Sequence, residues 1–157
     1  MDEKSSVLNK LIEARSITLQ LLQPLSQDEL DLRPPGSLVS GEWSLGEVFM
    51  HIALDEIYLR ELIARPLLEG VKPPEGITFL PPPPPIGVNK DVILFWFERA
   101  RSGTIFLFEN WPEDANLKLT HKGGFDEGMN GLEWLAGYAS HEAFHHRQIQ
   151  DLIDQNY

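Results

Sequence analysis

The chain has 157 residues, 42% of them hydrophobic, which suits a single domain over residues 1–157 with a core of its own. It contains no cysteine, which excludes disulfides, thiolate metal ligands and a cysteine nucleophile. The net charge of −11 opposes phosphate backbones and anionic lipid, so we expect neither nucleic acid nor a membrane as partner. A polar N-terminus and the lack of an apolar run of roughly 20 residues predict a cytoplasmic protein.

The first half of the chain shows helical periodicity. Apolar residues at three- and four-residue steps predict a first helix over residues 4–25 and a short helical turn over residues 26–32. A second helix is predicted to begin near Ser44, because Ser44 followed three residues later by Glu47 is a capping-box pattern. This helix is predicted to end near Pro66 or a little beyond.

A proline-rich connection follows the second helix, from residue 70 to residue 88. Its run of prolines at residues 81–85 favours an extended polyproline II conformation and cannot continue a helix. We interpret the connection as a stiff crossover between the second and third helices. The alternative interpretation is a segment that binds an aromatic groove of a partner.

Two more helices are predicted in the second half. The third begins near Asn89 or Asp91, both good capping residues, and extends to about residue 111. In the irregular segment that follows, residues 117–121 alternate like a short strand. The fourth helix covers residues 130–153. Four helices of roughly 20 residues with one long connection predict an all-α fold, a four-helix bundle.

The fourth predicted helix carries His141, Glu142 and His145 in the pattern H-E-x-x-H. Two histidines four residues apart share one helical face, and here they interrupt an apolar stripe. A buried imidazole needs a partner for each ring nitrogen, and a pair at this spacing can hold one metal ion. Glu142 is the candidate general base of such a site.

His51 on the second predicted helix is the candidate third ligand, because it lies beside an apolar stripe and can face the bundle interior. His51, His141 and His145 would form a three-histidine site with an open position. Such a site suits zinc or nickel first, and also iron, manganese or copper. Asp55, one turn after His51, could orient a ligand or bind the metal, or could simply be a partly buried hydrogen-bond acceptor.

The remaining candidates are less specific. The side chain of His146 points about 100° away from that of His145. It is predicted to be exposed, or to contact one of the metal ligands without binding the metal itself. His121 lies in the irregular segment and is predicted to be a surface residue. Trp43, Trp134 and Tyr138 are candidates for the mouth of a cavity, or else for simple packing.

Two helical motifs and the stretch before the first one occur in an order and spacing typical of one protein family. The motif residues are Trp43, Ser44, Glu47, Val48, His51 and Ile52, then His141, Glu142, His145, Gln148 and Ile149, with Leu25, Ser26, Glu29, Leu30, Arg33 and Pro34 upstream. In combination they resemble the DinB / YfiT-like metalloenzyme superfamily.

This resemblance implies a four-helix bundle that binds a divalent metal ion through His51, His141 and His145. It also implies a small-molecule substrate and a homodimer. Members of the family include thiol-dependent S-transferases that use bacillithiol or mycothiol. By resemblance, the chain is therefore predicted to be an enzyme whose metal activates a low-molecular-weight thiol or water.

Two other functions stay open at the level of the sequence. A zinc-dependent hydrolase would use Glu142 as its general base. Only 12 residues follow His145, however, so the downstream third ligand common in metalloproteases has no place. A non-catalytic bundle that binds a metal or another ligand is the second alternative, and the proline-rich connection favours it slightly.

Overall fold

A computed structural model describes residues 2–33, 43–80 and 83–156 of the chain. The regular secondary structure of these residues is helical, and the long helices follow the periodic segments of the sequence. The helices are α1 (Glu3–Leu22), α2 (Gln27–Asp31), α3 (Leu45–Leu59), a π-helical turn (Arg60–Ala64), α4 (Arg65–Leu68), α5 (Lys90–Glu109) and α6 (Gly131–Asn156).

Polar side chains explain where the helices begin. At the start of α3, the Ser44 hydroxyl accepts a bond from the backbone N–H of Glu47, and the Glu47 carboxylate accepts one from the N–H of Ser44. Asn130 and Glu133 make the same reciprocal pair of bonds before α6. The Asn89 side chain caps α5. The predicted starts of these three helices are confirmed.

The second predicted helix is continuous from α3 through the π-helical turn into α4. In the π-helical turn the N–H of Arg65 donates to the carbonyl of Arg60, one residue further back than in an α-helix. Pro66 follows in the first turn of α4, where its missing N–H is tolerated. The helix therefore passes Pro66 and ends at Leu68, a little beyond the proline as predicted.

The four long helical segments form a closed bundle. Helix α6 packs against α1 and α3, and α5 packs against α3 and α1. Two clusters of buried apolar side chains fill the interior, and each large side chain there contributes roughly 1.5–3 kcal/mol by leaving water. The predicted all-α four-helix bundle is confirmed. Within the described residues, none of the helices combines the length and apolar character needed to cross a membrane.

The segment between α5 and α6 differs from its prediction. Residues 117–121 do not form a strand, and the described part of the segment has only an isolated antiparallel bridge between His121 and Met129. The prediction that His121 lies at the surface is wrong, because this side chain is buried. Its Nε2–H donates to the carbonyl of Ile77 at 2.6 Å. This bond joins the segment to the connection after α4, which covers the imidazole.

The connection between α4 and α5 has no helix in its described residues. Residues 81 and 82 lie outside the described ranges, so the polyproline conformation of residues 81–85 stays a prediction.

Candidate metal centre

Three imidazoles from two helices meet inside the bundle. The Nε2 atom of His141 on α6 lies 3.2 Å from the Nε2 atom of His51 on α3. It lies 3.0 Å from the Nε2 atom of His145, one turn further along α6. The ligand atoms of the three side chains are all within 4.8 Å of one another. The structure thus brings together all three histidines that the sequence predicts as ligands.

The spacing of these nitrogen atoms fits a single metal ion. Zinc–imidazole bonds are about 2.0–2.1 Å long, so a tetrahedral ion places two of its ligand nitrogens about 3.3 Å apart. The observed separations of 3.0 and 3.2 Å are close to this value. This three-histidine group could hold a divalent ion, and its all-nitrogen donor set suits zinc, nickel, copper or iron.

Neighbouring side chains orient two of the imidazoles. The Nδ1–H of His145 donates to Oε1 of Gln148 at 2.6 Å, which leaves the lone pair of His145 on Nε2, the atom nearest His141. The ring of Trp43 packs 5.0 Å from the ring of His51, measured between centroids. The Nδ1 atom of His51 is buried and finds no hydrogen-bond partner in the described part of the chain.

Burial keeps the histidines neutral. Burial, together with the nearby His145 and His141, lowers the pKa of His51 to about 3. Burial, with His145 as a second cause, lowers the pKa of His141 to about 4. Burial also lowers the pKa of His145. Neutral imidazoles carry the free lone pairs that a metal ion requires.

Asp55 is buried beside this cluster, one helical turn after His51. Its Oδ2 atom lies 3.1 Å from Nε2 of His141. Burial raises the pKa of Asp55 to about 8, and the charge of Glu56 adds to the effect. The opposite directions of the Asp55 and His141 shifts favour a hydrogen bond between neutral groups over an ion pair. A divalent ion nearby would instead favour the ionised carboxylate. Nε2 is also the atom of His141 that faces the other two histidines, so Asp55 cannot orient His141 from behind when this nitrogen binds a metal ion. Its position beside the same nitrogen is compatible with the other predicted role, that of an additional metal ligand.

Glu142 faces α1 rather than the histidines. Its Oε1 atom accepts hydrogen bonds from Nε of Arg15 at 2.8 Å and from the hydroxyl of Thr18 at 2.7 Å. Arg15 also pairs with Glu56 on α3 at 2.6 Å, and Arg101 on α5 pairs with Glu56 at 2.9 Å. A general-base role for Glu142 stays a prediction. These contacts argue against it, because its proton-accepting oxygen is held by a guanidinium.

The ion network around Glu142 was not predicted from the sequence. Arg15 and Thr18 lie on the buried face of α1, between Leu11 and Leu22. Polar residues that interrupt an apolar stripe were the signal that identified the histidines of the fourth helix. The same signal on the first helix would have identified Arg15 and Thr18.

The two remaining histidines lie outside the cluster. The Nε2 atom of His146 is 2.7 Å from the hydroxyl of Thr18, so this half-buried side chain joins the network around α1. His121 is buried within the irregular segment between α5 and α6, where its carbonyl accepts a hydrogen bond from the indole N–H of Trp134.

A cavity of about 480 Å³ adjoins the cluster at His141 and Asp55. Trp134 and Tyr138 line this cavity, as the sequence predicts, whereas Trp43 packs against His51 instead. The cavity gives a small molecule a direct approach to one of the three histidines.

The site and the fold can be compared with known proteins. The family model of the DinB superfamily matches residues 10–149, a range that includes all three histidines. This chain belongs to the DinB superfamily. The resemblance that the sequence motifs suggest is therefore confirmed.

A solved structure shows the same fold as this DinB chain. The crystal structure of TT2238, a four-helix bundle protein, matches it with a TM-score of 0.68 and 23% sequence identity. The match covers 94% of this chain and 98% of that one. At this identity the likeness shows a shared fold alone. No curated protein is similar enough to this chain to count as a match.

The network predicts a structural role for Glu142. In Glu142→Gln the side chain keeps its shape but loses its negative charge. The positive charges of Arg15 and Arg101 are then balanced by the carboxylate of Glu56 alone. We expect the free energy of unfolding to fall by about 3 kcal/mol, because a broken buried ion pair leaves a charge uncompensated. Urea denaturation measures this change.

The exposed Glu98→Gln on α5 is the matched control and should leave stability nearly unchanged. Zinc stoichiometry should be the same in Glu142→Gln as in the unmodified protein. If Glu142→Gln were as stable as the control, the structural role assigned to Glu142 would be wrong.

Acid should destabilise the metal-free protein through its neutral histidines. An unfolded histidine keeps its ordinary pKa of 6.5, whereas folded His51 and His141 take up protons only near pH 3 and 4. Between these limits the unfolded state binds more protons, so stability is lost as the pH falls. The two histidines contribute a loss of about 2 kcal/mol per pH unit between about pH 7 and pH 5. Folded Asp55, whose pKa is raised to about 8, keeps a proton that the unfolded state has lost in this interval, which offsets about 1.4 kcal/mol per pH unit. The lowered pKa of His145 adds to the loss. We therefore expect a net slope of roughly 0.5–1 kcal/mol per pH unit, measured by urea unfolding of chelator-treated protein.

The variant His51→Gln removes one of these titrating groups. Its stability should therefore fall less steeply over the same pH interval. Equal slopes for the variant and the unmodified protein would contradict a depressed pKa at His51.

Proposed function

We propose that this DinB protein is a divalent-metal-dependent enzyme whose ion is held by His51, His141 and His145. One observation carries the proposal: two buried imidazoles and the half-buried imidazole of His141, all neutral, converge with Nε2 separations of 3.0 and 3.2 Å beside a cavity. A divalent ion held there would supply Lewis acidity and lower the pKa of a coordinated thiol or water.

The surrounding residues of the chain would prepare this site. Gln148 holds the His145 ring in the tautomer that presents Nε2 to the cluster. Asp55 lies beside Nε2 of His141, so its Oδ2 atom would lie next to the bound ion, and its Oδ1 atom has no hydrogen-bond partner in the described residues. That oxygen could accept the proton that an activated thiol or water gives up. The aromatic side chains that line the cavity, Trp134 and Tyr138 among them, would exclude bulk water from the reacting atoms.

We further propose that the activated group is a low-molecular-weight thiol of the bacillithiol or mycothiol type. The chain has no cysteine, so the sulfur must come from a cosubstrate. The thiolate would attack an electrophilic carbon of the second substrate, a C–S bond would form, and the leaving group would depart with its electron pair. Superfamily membership supports this assignment over a hydrolase, as does the engagement of the Glu142 carboxylate by Arg15 and Thr18.

The ligand set predicts a clear result for metal binding. In His145→Ala or His51→Ala two imidazoles remain, and two neutral ligands hold a divalent ion weakly. We expect bound metal to fall from about one equivalent to a trace in both variants. Elemental analysis of protein purified without a histidine tag or chelator measures this loss, with zinc titration by calorimetry as a second readout.

His146→Ala is the matched control, because it removes the adjacent histidine, which faces Thr18. This variant should keep its metal. Full metal occupancy in His145→Ala would refute the proposed ligand set, as would loss of metal in His146→Ala together with the other variants.

Two substrate panels separate transferase from hydrolase. Zinc-loaded protein is incubated with a cysteine-derived thiol and aryl or alkyl halides, and separately with nitrophenyl esters. Thioether formation that depends on His145 would support the transferase. Ester hydrolysis without any thioether product would overturn it in favour of the hydrolase.

A further inference from the structure

The cavity beside His141 has an aromatic wall built from two irregular segments and α6. The rings of Phe79 and Phe125 are stacked, with centroids 4.4 Å apart and an interplanar angle of 19°. The ring of Phe125 lies 5.7 Å from the ring of Trp134. All three side chains line the cavity. A ligand there would meet extended π surface.

The polar groups of the aromatic side chains Trp134 and Tyr138 already donate hydrogen bonds to backbone carbonyls. The indole N–H of Trp134 donates to the carbonyl of His121 at 3.1 Å. The hydroxyl of Tyr138 donates to the carbonyl of Ile52 at 2.8 Å. The aromatic side chains therefore offer a ligand their rings and no free hydrogen-bond donor.

Carboxylates supply the remaining polarity. Glu127, Glu133 and Asp55 line the cavity, and no lysine or arginine does so among the described residues. Glu127 and Glu133 form no ion pair with a basic residue of the described chain. Asp55 is 1% exposed, and its Oδ1 atom has no hydrogen-bond partner in the same part of the chain. The side chains around the cavity thus favour a ligand that carries positive charge.

We propose that this cavity binds an organic cation, an ammonium group on an apolar or aromatic body. Cations are attracted to aromatic faces by the ring quadrupole, and more strongly where water is displaced. The carboxylates of Glu127 and Glu133 then neutralise the charge, the unpartnered Oδ1 atom of Asp55 offers an acceptor for an ammonium N–H, and the net charge of −11 draws cations toward the protein. The inference rests on the proposed function for its chemistry, because it makes the ammonium compound the substrate presented to the metal centre.

Three probes of similar shape and different charge test the proposal: benzylammonium, benzyl alcohol and benzoate. Calorimetric titration of the metal-free protein at neutral pH prevents the amine from coordinating a metal. Benzylammonium should bind about tenfold more tightly than benzyl alcohol, and benzoate should bind most weakly. Equal affinity for the alcohol and the ammonium would show a merely apolar cavity and overturn the proposal. Tighter binding of benzoate, or binding of none of the probes, would overturn it as well.

Two variants connect the preference to the named residues. Glu133→Gln keeps the hydrogen-bond acceptor that caps α6 but removes the charge, and should weaken benzylammonium about fivefold while leaving benzyl alcohol unchanged. Phe125→Leu, at a position that is 45% exposed, should weaken the ammonium more than the alcohol. The exposed Asp151→Asn, elsewhere on α6, is the matched control and should change neither affinity. Unchanged ammonium binding in both cavity variants would place the cation elsewhere and refute the assignment.

Metal analysis of the same preparations distinguishes the two proposals. Bound metal without an ammonium preference would overturn only the substrate class. An ammonium preference in a protein that binds no metal would overturn only the proposed metal function.

Discussion

The guanidinium of Arg15 joins the helices that carry the three-histidine cluster. It pairs with Glu142 on α6 at 2.8 Å and with Glu56 on α3 at 2.6 Å. Arg101 extends the same buried network to α5. A packing that separated these charges would leave an ion without its partner inside the bundle, at a cost of about 3–5 kcal/mol. The network therefore favours the one arrangement of helices in which α3 and α6 bring their histidines together.

Adjacent residues of α6 face two different helices of the bundle. Because successive residues are rotated by about 100°, His141 and His145 face α3 while Glu142 faces α1. One face of the helix thus supplies two members of the three-histidine cluster, and the other supplies the buried ion pair with α1. The glutamate of the H-E-x-x-H pattern points toward Arg15 and Thr18 rather than toward the histidines.

The irregular segments build the wall of the cavity. The N–H of Phe79 in the connection after α4 donates to the carbonyl of Gly123 at 2.8 Å, and His121 bonds to Ile77 nearby. Gly123 has a φ of 55°, a conformation that glycine adopts without strain, and an added Cβ would lie 2.4 Å from the Trp134 ring. These contacts hold Phe79 and Phe125 against Trp134 and complete the cavity next to the three-histidine cluster.

The sequence by itself determined the four long helices, because their apolar periodicity and caps are local signals. Ser44 and Asn130 mark the beginnings of α3 and α6 through contacts within three residues. The ligands were also predictable, since His141 and His145 are one turn apart on a single stripe. The sequence also offered His51 as the third member, but only the packing of α3 against α6 brings its Nε2 atom to His141, 90 residues away along the chain. The tertiary structure also decided that Arg15 forms an ion pair with Glu142, 127 residues away along the chain. The burial of His121, which bonds to Ile77 in the connection after α4, likewise depends on the tertiary structure. The physical reason is that helix formation depends on neighbours in sequence, whereas partners for buried polar groups are chosen by how the helices pack.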